Sequence, residues 1–180
     1  RGLVDAMVMN SPWFELAGSW LLRGPVTAAI DIVGAIAPSV VVSGLGPHYG
    51  RSIHRSGVGE WDYRLDWKPI EGFPVRAGWF RAIRRGHARL AAGLTIDAPV
   101  LVCCSTASGP NDRWHDAIMR TDSVLDVEQI TARSPLLGAD VTVERIDGGI
   151  HDLSLSLEPA RSAFFDVRAA WVGSRVVAPG

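Results

Sequence analysis

The residue of this chain that most strongly suggests chemistry is a histidine, His151, which follows a glycine-rich turn. The segment before the turn, Val141–Ile146, is rich in β-branched residues and predicts a strand. Gly148 and Gly149 allow the backbone to bend sharply after that strand. In open α/β sheets, functional sites form outside the carboxyl ends of the strands. An imidazole there can serve as a general base, because its ordinary pKa lies near neutrality. The alternative is a loop histidine held by a local hydrogen bond.

Four aspartates in one stretch of the chain are candidates for the acid that would orient this histidine: Asp112, Asp116, Asp122 and Asp126. Asp126 has another expected role, as the N-cap of the helix that follows it. Asp122 has no such local duty and could accept a hydrogen bond from the Nδ1–H of a histidine, as the acid of a catalytic triad does. Its alternative is an ordinary turn aspartate. The long connection 105–121 holds Asp112 and Asp116 and leaves the choice of acid open.

A nucleophile to match the acid and base is missing from the sequence. A serine nucleophile on a strand–turn–helix elbow has the pattern Gly-x-Ser-x-Gly. No serine of this chain has glycine both two residues before it and two residues after it. Ser43 and Ser56 lie in glycine-containing loops, but neither follows a predicted buried strand and opens a helix.

Strands and helices alternate in the parts of the chain that hold these residues. Buried strands are predicted at 6–9, 99–104 and 141–146, and together they indicate a parallel sheet with helical crossovers. One helix is expected from Val127, with Asp126 and Gln129 in a capping-box arrangement and Gly138 as its C′ residue. A second helix is expected from Pro159, with its apolar stripe ending at Trp171 and Gly173 as its stop.

The stretch from about residue 13 to residue 95 does not fit this alternation. It contains five of the seven tryptophans and many turn-forming glycines. We interpret it as a cap inserted between residues 1–12, the start of the core, and residues 96–180, the rest of the core. Helices are predicted within it at 25–37 and 79–94.

Four residues of this insertion are candidates for lining a substrate pocket: His54, Trp61, Tyr63 and Trp79. Ligand pockets are mostly apolar and aromatic, which favours such residue types. The alternative is that these side chains form the small core of the insertion itself. A metal site is not expected at His48, His54, His87 or His115, because lone histidines are usually packed or solvated. His48 and His54 also have no convincing carboxylate or cysteine partner at ligand spacing. No cofactor is expected.

Composition restricts the class of protein. The chain has 180 residues, 47% hydrophobic and 21% charged, with a formal net charge of −1. These values are typical of a soluble globular domain, and they do not favour a nucleic-acid binder, which needs a basic surface. No apolar run reaches the roughly 18 residues of a membrane span. Two adjacent cysteines, Cys103 and Cys104, and no secretory signal pattern predict buried free thiols in the cytoplasm.

Several sequence blocks, in this order, resemble the C-terminal part of an α/β-hydrolase of the serine aminopeptidase/lysophospholipase-like branch. The core blocks are Val8–Phe14, Pro99–Val102, Asp122–Asp126 and Gly148–Asp152; the cap blocks, which resemble actinobacterial-type members, are Tyr49–His54, Gly59–Asp62 and Gly78–Ala82. The resemblance implies about three parallel strands with flanking helices and a mostly helical cap. It implies that His151 is the catalytic base and Asp122 the catalytic acid. It also implies that the nucleophile would lie before Arg1.

The resemblance implies a serine hydrolase that acts on a small-molecule ester or lipid-like ester, or on an amide. Its partner would be the missing N-terminal part of the same fold, and the chain by itself would be inactive. The apolar first strand agrees with this, because it calls for a neighbouring strand that the chain does not supply. Two alternatives stay open: a non-catalytic binding or assembly remnant, and an epoxide or haloalkane hydrolase whose unseen nucleophile is an aspartate.

Overall fold

The computed structural model describes residues 3–16, 24, 27–44 and 46–176. The chain divides into two compact units. The first unit comprises Arg1–Phe14 and Leu90–Gly180, and the second, the inserted unit, comprises Glu15–Arg89.

A three-stranded parallel sheet forms the centre of the first unit. Its strands are β1 (Met7–Asn10), β4 (Val100–Ser105) and β5 (Val141–Ile146), and β4 lies in the middle. Met7 pairs with Val100, and Val100 in turn pairs with Val141. Among the described residues, nothing pairs with the outer edge of β1. The predicted strands are confirmed, although β1 and β4 each begin and end one residue later than the sequence suggested.

The middle strand carries the core on both of its faces because all six of its residues are buried. Val100, Val102 and Cys104 point to one face and pack with residues of helix α4 (Val127–Arg133). Leu101 and Cys103 point to the other face and pack with residues of helix α5 (Ala160–Val176). This alternation is the reason for the continuous apolar run, since a strand covered by helices on both faces has no polar side.

Helix α4 begins where the sequence predicted and ends earlier. The carboxylate of Asp126 accepts a hydrogen bond from the backbone N–H of Glu128 at 3.0 Å, so the N-cap is confirmed. The α-helix ends at Arg133, and a single 3₁₀ turn, Ser134–Leu137, follows it. The prediction that Gly138 is a left-handed C′ residue is wrong, because its φ of 173° is extended. Glycine is needed there for another reason: a Cβ would lie 2.5 Å from the carbonyl oxygen of Ile96.

The last helix, α5, runs for 17 residues and is the longest in the described part of the chain. The prediction that Gly173 stops it is wrong, since the helix continues to Val176. Phe164 and Trp171, from its predicted apolar stripe, are both buried against the sheet. None of the described helices combines the length and the apolar character that crossing a membrane requires.

Three helices and one short pair of strands make up the regular secondary structure of the described part of the inserted unit. It contains α1 (Thr27–Ile36), α2 (Pro47–Ile53) and nearly all of α3 (Ala77–Ala91), with a short antiparallel pair of strands, β2 (Val41–Ser43) and β3 (Val75–Arg76). The helix predicted at 25–37 is present from residue 27 to residue 36, and positions 25 and 26 lie outside the described residues. The helix predicted at 79–94 starts and ends somewhat earlier. Ile53 and Ala77 are among its most deeply buried side chains.

Candidate functional site

The backbone around Asp122 is held close to the end of β4. Its N–H donates to the carbonyl of Ala107 at 2.9 Å, and its carbonyl accepts from the N–H of Gly109 at 2.8 Å. These two bonds form a parallel bridge across the long loop that follows β4. The carboxylate is completely buried, and its Oδ1 accepts from the backbone N–H groups of Val124 and Leu125 at 2.9 and 2.8 Å. The expectation that Asp122 has no local duty is therefore wrong: it holds its own turn, and that turn fixes the direction in which the second oxygen points.

His151 is presented by the turn that follows β5. Gly148 has a φ of +67°, a left-handed conformation that glycine adopts without steric cost. Gly149 packs closely, since a Cβ there would lie 2.6 Å from Cδ2 of Leu153. The backbone N–H of Ile150 donates to the buried hydroxyl of Ser156 at 3.1 Å. The turn is therefore pinned on both sides of a histidine whose side chain is 22% exposed.

The side chains of Asp122 and His151 are in contact. Nδ1 of His151 lies 3.1 Å from Oδ2 of Asp122. A carboxylate only accepts hydrogen bonds, so the histidine donates from Nδ1–H, and Nε2 becomes the basic nitrogen of the ring. This is the geometry by which an acid orients the base of a triad.

The structure separates Asp122 from the other three candidate acids. The side chain of Asp112 is 72% exposed, and its carboxylate lies 3.4 Å from Arg113. Asp116 is exposed as well. Asp126 caps α4, as described above. Among the four aspartates, Asp122 is the one whose carboxylate the buried turn directs at the imidazole of His151.

Two residues at the end of β1 belong to this region and were not assigned a role from the sequence. Oδ1 of Asn10 accepts from the backbone N–H of Leu153 at 3.3 Å, which ties β1 to the segment just after His151. Ser11 follows with a φ of +42° and is 5% exposed, and its hydroxyl has no hydrogen-bond partner within the described part of the chain. The available signal was their position, directly after a buried strand at the edge where sites form.

A second histidine supports the turn that holds the acid. Nε2 of His115 lies 2.9 Å from the hydroxyl of Ser123, the residue after Asp122. That hydroxyl is also 3.3 Å from the hydroxyl of Thr121, which donates to the carbonyl of Ala117. Gly109 lies against this group, since a Cβ there would come within 2.6 Å of Cε1 of His115. His115 thus contacts the loop of the acid, whereas His151 contacts the carboxylate itself.

The aromatic candidates all lie in the inserted unit. Nδ1 of His54 accepts from the backbone N–H of Ser56 at 3.1 Å, and its Nε2 lies 3.1 Å from the carbonyl of Tyr63, to which it donates. The rings of His54 and Tyr63 are in edge-to-face contact at 4.7 Å. These contacts favour the interpretation that the pair forms part of the unit's own core. Trp61 is half-buried and Trp79 is 50% exposed, and a pocket role for these residues stays a prediction.

Metal and thiol chemistry find no support at the described positions. No group of three or more histidine, cysteine or acidic side chains is arranged to hold a metal ion in the described ranges. Cys103 and Cys104 are both buried free thiols on β4. Burial, with smaller contributions from Glu144 and Cys104, raises the pKa of Cys103 to about 12. Burial also raises the pKa of Cys104, so neither thiol is a nucleophile at neutral pH.

Comparisons with known proteins identify the fold. No protein-family model matches the chain, and no curated protein matches its sequence. A soluble variant of monoglyceride lipase from Saccharomyces cerevisiae, solved with a substrate analogue, superimposes with a TM-score of 0.62 at 13% identity, over 95% of this chain and 56% of that one. Monoacylglycerol lipase from Paleococcus ferrophilus superimposes with a TM-score of 0.65 at 18% identity, over 96% of this chain and 60% of that one.

The chain thus spans less than two thirds of the length of either lipase. Identities this low establish similarity of fold, and function has to be argued from the site. The chain has a mixed α/β fold similar to that of the two lipases, with a parallel sheet and flanking helices.

Proposed function

We propose that this chain carries the acid, the base and the cap of a serine-type hydrolase of carboxylic esters. The observation that carries the proposal is the contact between His151 and Asp122. The two side chains follow neighbouring parallel strands, β5 and β4, in the chain order acid then base that α/β-hydrolases have. Burying a carboxylate costs free energy. A structural turn alone would not need the second oxygen of that carboxylate to face a partly exposed imidazole.

In this mechanism, Nε2 of His151 accepts the proton of a serine hydroxyl as its oxygen attacks the ester carbonyl. The carboxylate of Asp122 stabilises the imidazolium that results, and the imidazolium then donates the proton to the departing alkoxide. Water attacks the acyl-serine in the second half of the cycle, with His151 again as the base. The inserted unit would act as the cap that covers the acyl group.

The nucleophile in this proposal lies outside the 180 residues. The sequence contains no elbow serine, and the described residues leave the outer edge of β1 unpaired. The proposed partner is therefore a segment of the same polypeptide that adds a strand to this edge and carries the serine. Both lipase neighbours are considerably longer than this chain, which is consistent with such a segment.

A lipid-like ester is the proposed substrate class. The support is the description of both neighbours as lipases of monoacylglycerols, together with an apolar and aromatic inserted unit. An amide would need better protonation of its leaving group than an ester, so we place esters first. We place the protein in the cytoplasm, because its two cysteines are free thiols.

The test begins with the coding sequence upstream of Arg1, where an in-frame Gly-x-Ser-x-Gly is expected. The longer polypeptide should then react with a fluorophosphonate probe and hydrolyse p-nitrophenyl esters, whereas the 180-residue chain should do neither. Ser11→Ala is the matched control in the short chain, because Ser11 is a strained serine at the end of a strand. Labelling of the short chain that Ser11→Ala abolishes would contradict an external nucleophile. A longer polypeptide without an elbow serine would contradict the serine mechanism.

A further inference from the structure

A groove of about 500 Å³ lies within the inserted unit along one face of α3. Three arginines, Arg81, Arg85 and Arg89, line it at successive steps of four residues. Pro38 and Ala82 add apolar lining. The volume falls in the range of pockets that bind small organic ligands.

The spacing of the three arginines lowers the stability of the helix. Like charges four residues apart on a helix destabilise it, and this helix has two such steps in succession. Asp31 of α1 neutralises the first arginine, with an oxygen 3.1 Å from Nε of Arg81. Arg85 and Arg89 are exposed and have no acidic partner among the described residues. Two adjacent positive charges of the groove therefore face solvent and are accessible to an anion.

The groove is open to solvent beside Gly86. Gly86 lies on α3 between the two unneutralised arginines, and a Cβ built there would meet nothing within 4 Å. Glycine in the interior of an exposed helix costs about 1 kcal/mol relative to alanine, and no close contact requires it here. The space beside the guanidinium groups is thus accessible, and the lining next to it is apolar.

From this arrangement we propose that the groove binds an alkyl carboxylate, an anion that carries an apolar chain. The guanidinium groups of Arg85 and Arg89 take the carboxylate, for which their fork geometry is suited, and Pro38 and Ala82 contact the first carbons of the chain. The positive pair selects an anion, and the apolar lining selects an anion with an apolar stem. This site lies wholly within the inserted unit and is separate from the contact between His151 and Asp122, so it stands independently of the proposed function.

Calorimetric titration of the 180-residue chain with sodium decanoate, below its micelle concentration, tests the proposal. Saturable binding with one site per chain is expected for decanoate. Decanol, which lacks the charge, and acetate, which lacks the stem, should each bind at least about tenfold more weakly. Inorganic phosphate, an anion without an apolar stem, is titrated as the fourth ligand. Equal binding of decanol, or binding of phosphate as tight as that of decanoate, would overturn the proposal.

Substitutions in the groove test whether decanoate binds there. Arg85→Gln and Arg89→Gln should each raise the Kd for decanoate by about tenfold, as expected for loss of a charge-assisted hydrogen bond. Gly86→Leu should also weaken binding, because its side chain fills the open space while favouring the helix. Arg51→Gln is the matched control, since Arg51 is exposed on α2 and outside the groove. Unchanged affinity in all three groove variants, with unchanged thermal transitions, would show that decanoate binds elsewhere.

Discussion

Asp122 contacts His151 through one carboxylate oxygen while its other oxygen holds the turn in which Asp122 itself lies. Oδ2 is 3.1 Å from Nδ1 of the histidine, and Oδ1 accepts from the N–H groups of Val124 and Leu125. One side chain therefore contacts the imidazole and also stabilises its own turn. The two roles can be separated by substitution, because asparagine retains an oxygen acceptor and alanine does not.

Asp122→Ala should destabilise the chain by about 2–4 kcal/mol, because two backbone N–H groups lose their acceptor in a buried turn. Asp122→Asn should cost less, since its amide oxygen can still accept from Val124 and Leu125. The measurement is the free energy of unfolding from urea titrations. Asp112→Ala is the control and should change stability by no more than about 0.5 kcal/mol, because its carboxylate is exposed. Equal effects of the alanine and asparagine variants would contradict the structural role of Oδ1.

In the longer polypeptide that the proposed function requires, His151→Gln should lower kcat for a p-nitrophenyl ester by at least about 10³-fold, since the base is lost. Asp122→Asn should lower kcat by a similar factor, because the amide no longer holds the imidazole in its productive tautomer. His115→Gln is the matched histidine control, since His115 contacts Ser123 and not the carboxylate. A larger loss for His115→Gln than for His151→Gln would reverse the assignment of the base.

Asp126→Ala should cost about 1 kcal/mol of stability, because the N–H of Glu128 loses its cap at the start of α4. Asp126→Ser should restore most of the loss, since a serine hydroxyl can accept the same hydrogen bond. Thermal unfolding followed by circular dichroism measures both. Asp116→Ala, at an exposed position in the preceding loop, is the control. If serine and alanine are equally destabilising, the cap interpretation is wrong.

The thiol of Cys103 should make stability fall in alkali. Its pKa is raised from an ordinary value of 9.0 to about 12 in the folded chain, mainly by burial. Above pH 9 the unfolded chain releases a proton that the folded chain still holds, so this contribution to stability is fully present below pH 9 and is lost as the pH rises toward 12. Urea titrations between pH 8 and pH 10.5 should show a steeper decline for the native sequence than for Cys103→Ala.

The same burial predicts that neither cysteine reacts with Ellman's reagent at pH 8 in the folded chain, while both react in urea. Rapid labelling of one thiol without denaturant would contradict the buried position of β4. Identical alkaline slopes for the native chain and Cys103→Ala would contradict the raised pKa.

The sequence by itself determined the features that depend on neighbours along the chain. A continuous apolar run predicts β4 because a strand covered on both faces excludes polar residues, and Asp126 predicts the start of α4 because a cap acts within three residues. The glycine pair before His151 similarly marks a sharp turn. Local signals failed where a contact comes from elsewhere. Gly138 is required by the approach of Ile96, and beyond Gly173 helix α5 carries Arg175, whose guanidinium lies 2.7 Å from a carboxylate oxygen of Asp140.

Only the tertiary structure decided which aspartate meets the histidine. Asp112, Asp116, Asp122 and Asp126 are alike in composition and lie within one stretch of chain. They differ in the direction of their carboxylates, which the bonds of Asp122 to Ala107 and Gly109 and the register of β4 with β5 establish. Asn10 is the same kind of case, since its partner Leu153 is 143 positions away. Contacts between distant residues arise from sheet pairing and loop closure, and local sequence patterns carry little information about either.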